Sequence, residues 1–273
     1  MKVSILTVNL NNRNGLGKTM QSVFNQTFTD YEYIVIDGGS NDGSKELITE
    51  NSAKIDYWIS EKDNGLYHAM NKAIKVSNGE YCFFLNSGDY FVNINVLSEV
   101  FKQPTNADIL SGNVLKVREN GNWNRVKSHE VVSLHKLMIA SLPHQASFIK
   151  RYLFDEIGYY NEKYKIVSDW EFFLKALILN NYSYHHFEID ISYFFLDGIS
   201  SQKSSIPLAR LESMECIETH FEKLKDDLIE YRYFYNSNIG NMYMQLKNHP
   251  KLYNAVERLC EILFITKKWL FRK

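Results

Sequence analysis

Asp89 closes the run Phe83-Phe84-Leu85-Asn86-Ser87-Gly88-Asp89, where a buried-strand pattern breaks into an amide, a hydroxyl, a glycine and an acid. An acid delivered this way holds a hard divalent cation, magnesium or manganese, and such a cation bridges a diphosphate. One carboxylate and one amide, Asn86, make a sparse ligand set, but these ions complete their shells with substrate phosphate and water. A type I turn held by the Asn and Asp side chains fits the same residues. Asp37 ends a second apolar run, Tyr33-Ile34-Val35-Ile36-Asp37, ahead of Gly38-Gly39-Ser40-Asn41-Asp42-Gly43. Its carboxylate can accept from a nucleobase N–H or a ribose hydroxyl, and the glycines let a base approach the backbone. An Asx turn with glycine at positive φ is the competing reading. Asp169, in Ser168-Asp169-Trp170-Glu171, opens the clearest helix of the second half. There the helix dipole keeps it ionised and able to receive a proton, while plain helix capping is the alternative.

Three further groups stand near these acids in the pattern. Thr7-Val8-Asn9 ends the first strand with polar side chains at the sheet edge, or simply starts a polar loop. Asn64, His68, Asn71 and Lys72 recur at helical spacing in Asn64-Gly65-Leu66-Tyr67-His68-Ala69-Met70-Asn71-Lys72 and predict a polar stripe bordering a nucleotide, or a solvated face. His144 follows Pro143 and reads equally as a site histidine or a core histidine satisfied by hydrogen bonds.

The elements that must position these groups alternate up to about residue 117. Strands are expected at Val3–Val8, Tyr33–Asp37, Ile55–Ser60, Glu80–Leu85 and Asp108–Val117, with helices near Leu16–Asn25, Ser44–Asn51, Tyr67–Ser77 and Val96–Phe101. Such alternation implies βαβ crossovers, a largely parallel sheet, and ligands at the carboxyl ends of its strands. Ser44 is expected to cap the second helix. Asn120-Gly121-Asn122 predicts a hairpin turn, Val131–Ala140 a short helix, and Asp169–Asn180 a helix with Phe172, Phe173, Ala176, Leu177 and Leu179 on its apolar side. From Lys150 on, helical pattern dominates, apart from a strand at Tyr184–Leu196 turning at Asp197-Gly198. Beyond Ser204 the chain is charged and helical.

Composition narrows the function classes. With 31 basic and 32 acidic side chains the net charge is -1, so no global field points to nucleic acid. The 14% of aromatic residues is high, and packing of a helical appendage accounts for it as well as sugar stacking does. Cys82, Cys216 and Cys260 are widely spaced and suggest neither a disulfide framework nor a zinc site. The first strand starts almost at once, leaving no room for a signal peptide, and no apolar run spans a bilayer. The chain therefore reads as cytoplasmic. No Gly-x-Gly-x-x-Gly follows a strand, which argues against a nicotinamide dehydrogenase.

Taken in order, six segments resemble the inverting glycosyltransferases of family 2: Val3–Asn9, Ile36–Ser44, Gly65–Ala73, Phe84–Asp89, Pro143–Gln145 and Ser168–Leu174, over roughly residues 1 to 200. The resemblance implies a GT-A fold, an α/β nucleotide-diphospho-sugar transferase architecture with a mostly parallel sheet flanked by helices. It implies donor binding by Thr7, Val8, Asn9, Asp37, Gly38, Ser40, Asp42, Gly65, Asn71, Lys72, Asn86 and Ser87, a manganese or magnesium ion at Asp89, a catalytic base at Asp169, and an acceptor side at His144 and Trp170. Two departures stand out: Asn86–Asp89 is poorer in aspartate than the usual motif, and His68 replaces the Asp of a common Tyr-Asp-Ala-Met-Asn-Lys helix.

On this basis residues 1–203 are expected to form the catalytic domain, with nucleotide-sugar binding over about 1–117 and the acceptor side over 118–203, and residues 204–273 a helical extension. The expected activity is sugar transfer, with inversion, from a nucleoside diphosphate donor, a UDP-sugar, to a saccharide or lipid-linked acceptor in bacterial cell-surface polysaccharide or glycolipid assembly. The competing readings are a non-catalytic nucleotide-sugar-binding protein and a nucleotidyltransferase, for which Asn11–Gly15 is a poor phosphate loop. Ile262–Lys273 mixes Trp269, Phe264 and Phe271 with four cations and no acid, which suits either the inner face of an anionic membrane or a packed terminal helix. A homodimer through the C-terminal helices is a further expected partner.

Overall fold

A computed structural model describes residues 1–118, 121–195 and 203–259. The expected turn at Asp197-Gly198, part of the Asn120 hairpin, Cys260 and the terminal 262–273 stretch lie outside the described residues. Two compact units are present, Met1–Cys216 and Ile217–Lys273.

The first unit opens with β1 (Val3–Asn9), α1 (Arg13–Phe24), β2 (Tyr31–Asp37), α2 (Ser44–Glu50), β3 (Tyr57–Ser60), α3 (Leu66–Val76) and β4 (Tyr81–Phe84). It continues with β5 (Tyr90–Phe91), α4 (Val96–Phe101), β6 (Ile109–Val117), β7 (Trp123–Val126), α5 (Leu134–Ile139), β8 (Ser147–Lys150), α6 (Tyr152–Ile157), α7 (Ser168–Leu174) and β9 (Tyr184–Phe195). Helix α8 (Ile206–His220) follows, and the second unit holds α9 (Lys225–Tyr235) and α10 (Asn238–Lys247).

The strands form one sheet in the order β3-β2-β1-β4-β8-β6-β9-β5, with β7 on β6. The first four are parallel, as short helical crossovers require, and all their carboxyl ends point the same way. Strand β8 runs antiparallel to both β4 and β6, so the sheet is mixed in its second half. Its centre is packed by aromatic rings. Phe83 stacks on Phe148 at 4.4 Å and on Phe91 at 5.4 Å, and all three are buried.

Two local expectations are corrected. Ser44 does not cap α2; the N-cap is Gly43 at φ 89°, and Asp42 accepts from the Ser44 N–H (3.1 Å) and hydroxyl (2.6 Å) instead. A carboxylate two residues ahead of a helix satisfies its first donors from outside, and the positive φ of Gly43 makes the bend. The helix expected over Asp169–Asn180 is regular only as α7 and then widens into a π turn at Lys175–Leu179.

The carboxyl ends of β1, β2 and β3 are tied together by one side chain. Asp37 is wholly buried. One of its oxygens accepts from Asn9 Nδ2 (2.7 Å) and Ser40 Oγ (2.5 Å), the other from the Ser40 N–H (3.0 Å) and Ser60 Oγ (2.6 Å). Burial alone would raise its pKa, but the hydrogen bonds from Ser40, Ser60 and Asn9 outweigh it and hold the carboxyl below its ordinary value. Asp37 therefore supplies stability that is complete above the unfolded pKa of about 3.9 and is lost as pH falls through the lower folded value. Asp37→Asn should leave one buried donor unpaired and cost about 1–3 kcal/mol at neutral pH. In denaturant titrations the gap between wild type and Asp37→Asn should stay constant down to about pH 4 and narrow below it.

Candidate active site

A cavity of about 410 Å³ opens at the carboxyl edge of the parallel strands. Of the residues expected there, Val8, Asn9, Gly38, Gly65, Asn86, Ser87, Asp89, His144 and Asp169 line it. Thr7, Asp37, Ser40, Asp42, Asn71, Lys72 and Trp170 do not, and the hydrogen bonds of each account for the difference. Thr7 donates to the Leu85 carbonyl (2.7 Å) and accepts from the Tyr33 hydroxyl, inside the sheet. Asp42 is spent on Ser44 and on the Arg13 N–H (2.8 Å), and those hydrogen bonds, Ser44 first, hold its carboxyl below the usual range. Trp170 is buried and donates its indole N–H to the Leu137 carbonyl at 2.7 Å.

The expected stripe on α3 separates into two pairs that face different ways. Asn64 precedes the helix. Asn71 is buried, donating to the Tyr160 carbonyl (2.9 Å) and Glu162 Oε1 (2.8 Å) while accepting from the Tyr160 N–H (3.0 Å). One turn earlier Tyr67 sends its hydroxyl to the Ile166 carbonyl (2.7 Å) and lies 3.1 Å from Asp169 Oδ1. Burial and the nearby Asp169 charge push the Tyr67 phenol well above its ordinary pKa, so it stays a neutral donor. His68 and Lys72, the other pair, both turn to Asp63, at 3.1 and 2.5 Å.

Asp63 is the residue that sequence reasoning missed. Its Oδ1 takes Lys72 and His68, Oδ2 is buried with no hydrogen-bond partner among the described residues, and Asp63 is among the residues lining the cavity. A side chain at position 38 would reach within 3.3 Å of that oxygen and 3.2 Å of Leu10 Cδ1, so Gly38 keeps the space between them open. Leu10 and Leu66 also line the cavity and are 63% and 38% exposed. The signal available was position: Asp63 lies three residues past the end of β3 and two before Gly65, in the loop that leaves the carboxyl edge of the sheet.

Across the cavity, the Asn86 carbonyl accepts the Asp89 N–H at 3.0 Å, so a turn forms here, but Gly88 at φ 107° gives it the positive third-residue φ of type II in place of the expected type I. Asn86 Oδ1 is buried without a partner among the described residues, and the Asp89 carboxylate lines the cavity while accepting from the Phe195 N–H at 3.2 Å. An amide oxygen and a carboxylate from two lining residues of one turn are hard donors of the kind that suit a magnesium or manganese ion. Asp169 lies in the first turn of α7, whose N-cap is Val167, so it does not cap the helix and its side chain faces the cavity. His144 both lines the cavity and belongs to the core: it stacks on Phe84 at 5.0 Å and pairs with the Tyr160 hydroxyl at 2.7 Å. Burial holds its pKa down against the pull of Asp169, leaving it neutral.

The model of a family described as "Glycosyl transferase family 2" matches residues 4–169. An uncharacterized glycosyltransferase of Mycobacterium tuberculosis is 33% identical over 190 residues, spanning 65% of this chain and 69% of that protein. A PGL/p-HBAD biosynthesis glycosyltransferase of Mycobacterium bovis is 27% identical over 180 residues, spanning 63% and 68%. Among solved structures, residues 1–349 of S. aureus TarS in complex with UDP-GlcNAc superpose with a TM-score of 0.67 at 21% identity, covering 93% of this chain and 79% of that one. The mannosyltransferase PcManGT from Pyrobaculum calidifontis, in complex with GDP-Man and Mn2+, gives 0.63 at 15% identity, covering 98% and 80%. At these identities the two structures share the fold.

Proposed function

The chain belongs to glycosyl transferase family 2, and from that premise we propose that it moves a sugar from a UDP-sugar donor to an acceptor hydroxyl by a single displacement that inverts the anomeric carbon. One observation carries this: the same cavity is lined by Asn86 and Asp89 at the β4 turn and by Asp169 at the start of α7. The acceptor oxygen attacks the sugar carbon from the face opposite the diphosphate. Asp169 takes the hydroxyl proton, the new C–O bond forms, and the bond to the diphosphate breaks with its electron pair leaving on the nucleotide. Tyr67, whose neutral hydroxyl is held by the Ile166 carbonyl at 2.7 Å, packs that hydroxyl against Asp169 Oδ1 at 3.1 Å. Asp89 and Asn86 would hold a divalent cation, which when bound stabilises negative charge on the departing diphosphate.

At the other end of the cavity the base lies between Leu10 and Leu66, over Gly38. Asp63 Oδ2 accepts its N–H, and Asn9 Oδ1, also buried and unpaired among the described residues, accepts from the ribose. With Oδ1 engaged by Lys72 and His68, a single free carboxylate oxygen matches the lone N3–H of uracil better than the paired donors of guanine. The staphylococcal relative, seen with UDP and with UDP-GlcNAc, supports the same choice. The mycobacterial relative named for PGL/p-HBAD biosynthesis supports a glycolipid or other lipid-linked acceptor. Among the described residues no helix is long and apolar enough to cross a membrane. Attachment to an anionic membrane surface is assigned in this proposal to residues 262–273, outside the described residues.

Three outcomes test this reading. Asp169→Asn should lower turnover by about 10²–10⁴ while calorimetric donor affinity stays unchanged, and near-normal turnover in a folded variant would refute the base assignment. Asp63→Asn should weaken UDP-sugar binding about ten- to a hundredfold, the worth of one charge-assisted hydrogen bond, read as a smaller donor-induced rise in melting temperature with manganese present. Removing residues 262–273 should abolish sedimentation with phosphatidylglycerol vesicles without changing transfer to a soluble acceptor; equal sedimentation of both forms removes the membrane claim.

A further inference from the structure

The segment that delivers Asp169 is held from two sides. On one side α3 grips it, through Asn71 on Tyr160 and Tyr67 on the Ile166 carbonyl. On the other side stands α8, which sequence pattern placed in a separate extension. Glu212, on α8, is 6% exposed and directs both carboxylate oxygens at backbone. One accepts the Lys165 N–H at 2.8 Å, the other the N–H groups of Ile166 (3.0 Å) and Val167 (3.3 Å). Lys163 and Glu215 form a further ion pair between the same two segments. Three successive N–H groups gathered on one oxygen pair make a concave anion site, filled here by the protein's own side chain.

The placement has consequences for the cavity. Lys165 and Ile166 are lining residues, and Val167 is the N-cap of the helix whose second residue is Asp169. Nothing on the Val167 side chain caps that helix. The backbone leading into α7 is thus set by a carboxylate 45 to 47 residues away in sequence, and each N–H it fixes lies within four residues of Asp169.

We propose that Glu212 is a positioning residue for Asp169, holding residues 165–167 so that the carboxylate of Asp169 meets the acceptor hydroxyl. This rests on the reading of Asp169 as the base. Glu212 touches no substrate; it acts through the backbone, so its loss should slow the transfer step and leave donor binding in place.

The test is a double-mutant cycle on the full chain, with transfer from UDP-sugar measured beside calorimetric donor affinity. Glu212→Gln keeps the size and one acceptor but turns an amide N–H toward the Ile166 and Val167 donors. It should lower kcat about ten- to a hundredfold with donor Kd and KM unchanged. In an Asp169→Asn background the same substitution should add little, because both act on one step. Amide exchange at residues 165–167 should quicken in Glu212→Gln. Wild-type kcat in a folded Glu212→Gln, a full multiplicative loss in the double variant, or a fall in donor affinity with kcat intact would each overturn the proposal. If Glu212→Gln does not fold, Glu212→Asp carries the test. It keeps the charge at shorter reach, and a lowered kcat at unchanged donor Kd supports the proposal while a lowered melting temperature with wild-type kcat refutes it. Should Asp169→Asn itself retain turnover, the reading of the base fails first, which separates that failure from one confined to Glu212.

Discussion

The reciprocal pair of hydrogen bonds between the Asn71 amide and the Tyr160 backbone joins segments 89 residues apart, and the cavity depends on it. An amide that both donates to the carbonyl and accepts from the N–H of one residue imitates a strand partner, so it fixes position and orientation together. Asn71 sits on α3, in the parallel half of the sheet; Tyr160 heads the stretch that leads to Asp169. Helix α3 acts as a strut with two working faces. Tyr67 and Asn71, four apart, hold the wall that carries Asp169, while His68 and Lys72, also four apart, hold Asp63. The interleaved pairs account for the residue types in Tyr67-His68-Ala69-Met70-Asn71-Lys72, with Ala69 and Met70 packed inward and lining the cavity floor.

Acids divide by how much of each carboxylate is already used. Asp37 and Glu212 are engaged at both oxygens by loop and strand-end donors, and their charge is spent on setting backbone. Asp63 has an unpaired oxygen within the cavity, and Asp89 and Asp169 face the same space. A fully satisfied carboxylate at a strand end stabilises the frame, and one with an unpaired oxygen, as in Asp63, retains capacity for a ligand. Such a distinction is geometric, since the residue type is the same in both groups.

That is also why part of the site could not be read from sequence. Asp89 and Asp169 were legible because each follows an abrupt change of pattern, an apolar strand breaking into a turn or a polar stretch opening an apolar helix. Thr7, Asn71 and Trp170 are polar or amphipathic at equally suggestive positions, yet their partners are Leu85, Tyr160 and Leu137, distant in sequence, and nothing local signals the direction in which they point. Among the elements, β1 to β4 follow from alternation of strand and helix patterns. Strand β5 has two residues, too few to show a period, and β8 is four residues, Ser147-Phe148-Ile149-Lys150, with two apolar side chains between a hydroxyl and a cation, a length at which helix and strand are indistinguishable by pattern. Helix α8 reads as a charged extension because Glu212 looks like any solvated helical acid until its three backbone partners are seen.

The proposed metal site at Asn86–Asp89 stands in a cavity that already holds other acids. Asp63, Asp89 and Asp169 line it, and among the described lining residues Lys165 is the sole Lys or Arg, because Lys72 is turned to Asp63 and Glu61. A diphosphate entering this space meets like charges, each worth about 4 kcal/mol at 4 Å and an effective dielectric of about 20. An additional aspartate at position 86 would deepen that repulsion whenever the cation is away. The Asn86 amide offers its unpaired oxygen at no cost in charge. On the proposed reading, a neutral oxygen beside one carboxylate holds a divalent ion weakly alone and well together with the diphosphate, since the phosphates complete its shell and the ion offsets their charge. A motif with one acid fewer thus ties metal and donor binding to each other.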